Sequence, residues 1–468
     1  MKTAPEQIRG RLAGDAVAAI RGRVALLACM GAFCWCYQLL YFQWTSKVWG
    51  YFGYQIHLRE PSLVPLAWVL ALLPVAWMPL HLRRPSQFLY WTLYILVYVP
   101  SQFVPAFAQV SHPTLIREFM LTLAACFALI SLAYRVRVPE GRAKTIPDKW
   151  LWRGLLFLWA AGMAWILVVF RGQMELVSFA NPYSLRMLAR QTTVESQVGY
   201  AMSLVAGWLN ALFFARGWVT RRFGLVAFSV VSAVLVYMTA GQRAAIVGLA
   251  FGAAFGVVAG VRRMRGGIVI AGLNAAFLVA CVLVQPLIGQ ASGLGQTIFN
   301  LAIQRTYSVA GLASANYLDF FSRNPLTHWS HIHVVNWFVT YPYSNPLGFQ
   351  IASRYLWGNT MNFNAHFLVT DGLAAEGFAG MFVASAACAL VFWLFDWAAK
   401  HHSVAFAAAT LGGATISLTN SSLATTVASS GLGLIALTLV VMQPQLRRER
   451  SATKSPPEGQ HQNGLNLR

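Results

Sequence analysis

The chain has 468 residues, of which 57% are hydrophobic and only 10% are Asp, Glu, Lys or Arg. In soluble domains about a quarter of the residues are charged. The composition of this chain therefore excludes a soluble globular protein and indicates an integral membrane protein. The 35 Lys and Arg residues outnumber 14 Asp and Glu, giving a net charge of +21. We attribute this excess to membrane orientation and exclude nucleic acid as a partner, because most of the cations fall in the predicted loops of one side.

Long apolar windows recur along the chain, each able to cross the roughly 30 Å hydrocarbon core of a bilayer as a helix. They predict an all-α polytopic membrane protein of about 12 transmembrane helices. In chain order the predicted spans are residues 24–44, 62–80, 87–108, 118–134, 153–170, 197–215, 223–239, 244–260, 268–289, 377–397, 403–419 and 423–443.

The distribution of Lys and Arg among the loops predicts the orientation, because cytoplasmic loops retain these residues. With the N-terminus inside, 25 of the 35 Lys and Arg lie on the cytoplasmic side. Residues 1–23 are then a cytoplasmic N-terminus, and residues 444–468 are a disordered cytoplasmic tail. The cations left on the outer side are Lys47, Arg59, Arg117, Arg171, Arg186, Arg190, Arg243, Arg305, Arg323 and Arg354.

Two predicted outer loops are long, at residues 171–196 and 290–376, and long ordered loops are commonly functional. In the second, the segment TIFNLAIQRTYSVAGLASANYLDFF has apolar residues three and four apart. This spacing predicts an amphipathic helix lying along the outer membrane surface. The rest of that loop is rich in Pro, Asn, Tyr and Trp, which predicts an irregular cap whose aromatic faces suit either sugar rings or the membrane interface.

One outer arginine, Arg243, lies in the turn YMTAGQRAAIVG between two predicted spans. A guanidinium is charged at any working pH, and its forked donors match phosphate oxygens. Taken alone, an arginine at this position is better explained as an anchor whose head reaches the lipid headgroups. Together, the outer arginines favour an anionic ligand such as a lipid-linked diphosphate, whereas the alternative is that each pairs with an external acid.

A second constellation is the segment NFNAHFLVTDGLAAEGFAGMF at residues 362–382. If the tenth span starts near Gly377, a continuous helix would place His366 up to about 16 Å above the membrane edge. That height suits contact with a sugar attached to a lipid diphosphate at headgroup level. A lone histidine is also explained by a purely structural role.

These segments resemble the O-antigen ligase and polymerase superfamily. The order His366-Phe367, nine residues, Gly377, two residues, Gly380 is similar to the His signature of O-antigen ligases. Wzy-type O-antigen and exopolysaccharide polymerases have a similar region, and the Gly-Gln-Arg turn at 241–243 is similar to their Arg turn between two spans. The resemblance covers about residues 170–400. Phe367 departs from the polar residue that follows the ligase histidine, which favours a polymerase over a ligase.

The resemblance implies a GT-C-like glycosyltransferase of a bacterial inner membrane, with its active site facing the periplasm. It implies inverting transfer between undecaprenyl-diphosphate-linked glycans, and membrane lipid, a chain-length regulator and a flippase as further partners. Fixed cations aimed at the leaving diphosphate would supply the largest stabilisation. The diphosphate-binding candidates are Arg243 and Arg305, then Arg186, Arg190 and Arg354. The catalytic candidates are His366, which would orient or deprotonate the attacking hydroxyl, and Asp319, Glu376 or Asp371.

No Asp-x-Asp or Glu-x-Asp occurs in the sequence, so we expect a metal-independent reaction that needs no cofactor. The set formed by His328, His331 and His333 has two interpretations: a zinc site, or hydrogen bonding within the aromatic cap. Two alternative functions remain for the chain. One is an O-antigen-type ligase with the same donor and another acceptor, and the other is a polysaccharide or lipid-linked sugar transporter, which would favour charges at mid-span.

Overall fold

The computed structural model describes residues 4–141, 144–177, 185, 197–261, 265–288, 293–356 and 362–444. Within these residues, all regular secondary structure is helical. In chain order the helices are α1 Val17–Phe52, α2 Leu63–Ala76, α3 Ser86–Ala108, α4 Pro113–Tyr134, α5 Asp148–Val169, α6 Gln197–Val219, α7 Phe223–Ala240, α8 Arg243–Gly260, α9 Gly266–Ile288, α10 Leu294–Asn300, α11 Val309–Phe321, α12 Leu347–Tyr355, α13 Leu368–Ala399, α14 Val404–Ala409, α15 Gly412–Asn420, α16 Leu423–Ala428 and α17 Leu432–Val441. The helix containing α1 begins at Ala4, a π-helical segment joins α10 to α11, and a short 3₁₀ turn lies before α12.

Nine of the described helices, α1, α3 to α9 and α13, are long and apolar enough to cross a membrane. They confirm a helical, multi-span membrane protein, although the membrane-length helices are fewer than the twelve expected.

Three predicted spans are shorter or divided. Pro74 lies in the last turn of α2, where its ring removes a backbone donor. The last two windows are each split in two, and Gly431, with φ 87°, separates α16 from α17.

Basic side chains close one end of the bundle by binding backbone carbonyl oxygens. Arg23 on α1 donates to the carbonyl oxygens of Val75 and Met78 at the end of α2, at 2.8 and 2.6 Å. Lys400 donates to Pro139 at 2.6 Å. Helix ends leave carbonyl groups without partners within the helix, and cations there also complement the helix dipole. We call this the basic end; it is the predicted cytoplasmic side.

Glycines bring α8 into backbone contact with α14 and α15. A Cβ added at Gly248 would lie 3.2 Å from the backbone nitrogen of Gly413, and one added at Gly412 would collide with the carbonyl oxygen of Gly248. Further along, Gly252 faces Ala409. Because residue numbers rise along one helix as they fall along the other, α8 and α15 run antiparallel. The C-terminus of α15 therefore lies beside the N-terminus of α8, at the end of the bundle opposite the basic end.

The predicted surface helix forms, but its second half does not lie along a surface. Every residue of α11 from Ala310 to Phe321 is buried, and the helix packs along α3. Gly311 permits this contact, since an added Cβ would lie 2.6 Å from a methyl group of Val104. Ser314, Tyr317 and Asp319 of α11 find hydrogen-bond partners inside the protein, so the face that looked amphipathic in sequence can also be buried.

A sharp reversal divides α13 into two parts. Glu376 (φ −140°, ψ 31°) and Gly377 (φ 62°, ψ −143°) are non-helical, and the φ of Gly377 is one that L-residues rarely adopt. A Cβ added at Gly372 would lie 2.7 Å from the Cα of Met381, whereas residues nine apart on a straight helix are about 13 Å apart. The start of α13 thus folds back on the long part. His366 consequently lies within the bundle rather than far above its edge.

We predict that Gly412→Ala loosens the packing of α8 on α15, because the new methyl group would overlap the carbonyl oxygen of Gly248. Overpacking of this kind costs about 1–3 kcal/mol. The measurement is the midpoint of thermal unfolding in detergent, followed by size-exclusion chromatography. Gly154→Ala in α5 is the matched control: its Cβ meets nothing within 4 Å, so its midpoint should hold or rise. An unchanged midpoint for Gly412→Ala would contradict the close approach.

Candidate functional site

The structure describes three of the five arginines expected to bind phosphate. Arg243 is half-buried at the start of α8, and Arg305 and Arg354 are exposed on the π-helical segment and on α12. Arg186 and Arg190 lie outside the described residues. The three described arginines stand on separate elements, so no single loop presents them.

Arg243 has the most favourable position for an anion. It is the first residue of an 18-residue helix, directly after a turn in which Gly241 has φ 60°. Within the part of the chain that the structure describes, the side chain of Gln242 makes no capping bond to this helix. The first amides of a helix and the positive end of its dipole attract phosphate. The guanidinium adds a fixed charge with forked donors at the same point.

His366 is completely buried, with 0% of its surface exposed. Its Nε2 lies 2.9 Å from the hydroxyl of Ser314 on α11 and 3.4 Å from that of Ser101 on α3. Among the described residues, its Nδ1 has no hydrogen-bond partner. Burial lowers the pKa of His366 to about 3, so the imidazole is neutral at physiological pH. In this conformation no sugar hydroxyl can reach it, and its contacts tie α3, α11 and the segment before α13 together.

Asp319 is engaged in a structural cluster. One carboxylate oxygen accepts a hydrogen bond from the guanidinium of Arg323 at 2.9 Å, and the other accepts from the hydroxyl of Tyr355 at 2.8 Å. Burial, followed by this bond to Asp319, raises the pKa of Tyr355. The cluster joins α11 to α12, while Arg323 and Arg354 remain exposed at its edge. With both oxygens occupied, Asp319 is placed to hold Arg323 and Tyr355 rather than to accept a proton.

Asp371 forms the first of two His–carboxylate pairs at the reversal in α13. One oxygen of Asp371 lies 2.9 Å from Nε2 of His331, and the other accepts a hydrogen bond from the backbone nitrogen of Leu423. The hydroxyl of Thr327 lies 3.2 Å from Nδ1 of His331 and donates to the carbonyl of Ala374. The two side chains of this pair are only 9% and 8% exposed. The pair therefore fixes the loop after α11 onto α13 and α16.

The second pair is open to solvent. Nδ1 of His328 lies 2.7 Å from a carboxylate oxygen of Glu376, and the two side chains are 56% and 32% exposed. His328 and Trp329 have φ of 47° and 56°, a left-handed conformation that non-glycine residues adopt only where the surrounding structure holds them. The backbone nitrogen of His328 donates to the carbonyl of Ala375 at 3.1 Å. These contacts hold an accessible imidazole against an accessible carboxylate.

The sequence interpretation considered His328 only as a zinc ligand or as a hydrogen-bonding residue of the aromatic cap, and did not identify it as a catalytic candidate. A signal was present: His328 and His331 are three residues apart, and their partners Glu376 and Asp371 are five apart. Recognising the pairs required the reversal at Gly377, which the sequence pattern does not reveal. Within the described residues, no group of three or more His, Cys, Asp or Glu side chains is arranged to hold a metal ion.

The loop between α11 and α12, which also carries His328 and His331, has exposed aromatic side chains. Trp337 is 70% exposed and Phe338 is 84% exposed. The ring of His333 lies edge-on to Trp337, with centroids 6.1 Å apart. Exposed rings of this kind can stack on sugar faces or enter a membrane interface.

Comparisons with protein-family models, with curated proteins and with solved structures find no match to this chain. The helices define a multi-span membrane protein.

We predict that buried His366 makes stability depend on pH. Its pKa is about 6.5 when unfolded and about 3 when folded. The unfolded state therefore takes up the proton first, and stability falls as the pH drops from 6.5 towards 3. From pH 7 to pH 5 the loss is about 2 kcal/mol.

The measurement compares thermal midpoints of the wild type and His366→Gln at pH 7 and pH 5. The wild type should lose more stability on acidification than the variant. His402 is also buried, and burial lowers its pKa, but it is present in both proteins and cancels in the comparison. Equal pH dependence of the two proteins would contradict the neutral, buried state of His366.

Proposed function

We propose that this chain is a polysaccharide polymerase of the O-antigen ligase and polymerase superfamily. It joins oligosaccharide repeat units carried on undecaprenyl diphosphate at the periplasmic face of a bacterial inner membrane. The observation that carries the proposal is that Arg243 and the two His–carboxylate pairs stand at the same end of the bundle. Asp371 accepts from the first residue of α16, α16 follows α15 closely, and the C-terminus of α15 lies beside the N-terminus of α8.

In this proposal, Arg243 and the first turn of α8 hold the diphosphate of the donor. The leaving group gains negative charge as its bond to the sugar breaks, so fixed donors at this point stabilise the transition state more than the ground state. Arg305 and Arg354 are the further cations for phosphate, and both are exposed. Arg186 and Arg190 remain predicted contributors from the sequence.

The proton chemistry is assigned to His328 rather than to His366, because only the former is accessible. Glu376 accepts the Nδ1–H of His328, which leaves the lone pair of Nε2 available as a base. The hydroxyl oxygen of the acceptor glycan attacks the anomeric carbon of the donor, and its proton passes to Nε2. The bond between that carbon and the diphosphate oxygen breaks, and the diphosphate leaves with the electron pair. His366 acts as a positioning residue.

The exposed rings of Trp337 and Phe338 supply a surface for the acceptor glycan. Sugar rings present C–H faces that pack on aromatic rings, while their hydroxyls remain solvated. The loop that carries these rings also carries His328. An acceptor stacked on this loop would therefore approach on the same chain segment as the base.

We predict that Arg243→Ala abolishes long-chain polysaccharide in cells while single repeat units on the lipid carrier persist. The reason is that the variant loses the fixed cation proposed to stabilise the leaving diphosphate. The measurement is the ladder of polymer lengths on a gel, at matched protein expression. Arg59→Ala, a substitution of another exposed outer arginine, is the control and should leave the ladder intact. A normal ladder for Arg243→Ala would rule out the diphosphate role, and polymer formed only after adding a different acceptor would favour a ligase.

We predict that His328→Gln lowers the rate of polymerisation by about 10² to 10⁴, the usual worth of a general base. Glu376→Gln should lower it less, because the imidazole remains but is no longer oriented by a charged partner. The assay uses purified protein and lipid-linked repeat units, and it records initial rates across pH. His57→Gln, which replaces an exposed histidine of another loop, should retain the wild-type rate. Full activity of His328→Gln would assign the proton transfer to another residue.

A further inference from the structure

An open groove lies between α1 and α9 at the basic end of the bundle, far from the residues of the proposed reaction. Its volume is about 650 Å³. The groove lies at the end of the bundle opposite Arg243. A donor diphosphate bound at Arg243 therefore cannot also fill the groove. The apolar walls and the two basic residues that line it are Val17, Ala18, Ala25, Ile268, Arg21 and Arg265.

The guanidinium of Arg265 lies directly against the backbone of Gly22. A Cβ added at Gly22 would collide with a terminal nitrogen of that guanidinium and would lie 2.8 Å from its Cζ and 3.1 Å from a methyl group of Leu80. Only the absence of a side chain allows the cation to lie against the backbone of α1. Arg21 is the next residue on the helix and is exposed, so two guanidinium groups flank one groove.

Among the side chains that the structure describes, those lining this groove carry positive charge and none is acidic. Neither Arg21 nor Arg265 takes part in an ion pair there, and no described acidic side chain lines the groove. His81, in the loop after α2, reports the local potential: burial chiefly lowers its pKa, and the charges of Arg83 and Arg265 lower it further. An anion entering the groove would therefore meet the positive charges of Arg21 and Arg265.

We propose that this groove binds the phosphodiester headgroup of an anionic membrane phospholipid, with Arg21 and Arg265 on the phosphate and the acyl chains on the apolar walls. Basic pockets between membrane helices hold such headgroups through forked hydrogen bonds. Ala18, Gly22 and Ala25 are four and three residues apart, so they keep one face of α1 flat enough for a chain. A soluble phosphate would use the arginines but not these walls. The site does not depend on the proposed polymerase activity.

The test is native mass spectrometry of the purified full-length chain, titrated with phosphatidylglycerol or with phosphatidylcholine of the same acyl chains. The wild type should bind phosphatidylglycerol more tightly. Arg21→Gln with Arg265→Gln should weaken that binding by about thirtyfold, at about 1 kcal/mol per cation, and weaken the binding of zwitterionic phosphatidylcholine much less. Gly22→Ala keeps both charges but displaces Arg265, so it should weaken the binding as well. Arg153→Gln, at an exposed arginine of α5, is the control.

Three results would overturn the proposal. They are unchanged phosphatidylglycerol binding in the double variant, an equal loss in Arg153→Gln, and full displacement of the lipid by millimolar inorganic phosphate, which would assign the site to a free anion. Each variant is first checked for a single symmetric peak in size exclusion. If the double variant fails this check, Arg21→Gln carries the test alone. The Arg21 side chain is exposed, and its loss leaves the contact between Arg265 and Gly22 intact.

Discussion

The reversal at Glu376 and Gly377 is the constraint on which the rest of the site depends. It brings Gly372 against the start of the long part of α13, where a Cβ on Gly380 would collide with the carbonyl oxygen of Gly372. Two different demands for glycine meet there: a left-handed φ at Gly377 and a close backbone approach at Gly380. Because of the reversal, Asp371 faces a backbone amide of α16 while Glu376 faces solvent, so two carboxylates five residues apart acquire different environments.

Burial and hydrogen bonding separate the structural histidine from the accessible one. His366 is enclosed by α3 and α11 and shares its Nε2 with serine hydroxyls, an arrangement that suits a neutral ring. His328 is half-exposed and holds a carboxylate, an arrangement that suits proton transfer. A polar group that is buried must be hydrogen-bonded or it costs stability. Nδ1 of His366, which has no partner among the described residues, is thus a cost that the surrounding packing offsets.

Much of the helical architecture was predictable because the hydrophobic length of each segment is a local property of the sequence. The predicted spans 244–260 and 268–289 agree with the bounds of α8 and α9 to within a few residues. The burial of α11 was not predictable, because the spacing of its apolar residues is the same whether its polar face meets water or the partners Ser101, Arg323 and Tyr355. The same limit applies to the site. Residue types indicated histidines and carboxylates, but their pairing depends on a reversal that only tertiary packing at Gly372 and Gly380 reveals.

The basic residues that close one end of the bundle link two processes that are usually treated separately. Arg23 binds carbonyl oxygens at the end of α2, and Lys400 binds a carbonyl oxygen in the loop between α4 and α5, yet the predicted orientation rests on these same positive charges being retained on one side. The predicted orientation in the bilayer and the packing of this end of the folded protein therefore depend on the same side chains. Neutralising one of them would disturb both the threading of the nascent chain and the finished packing, so the two defects would have to be separated by a charge-preserving lysine or arginine exchange.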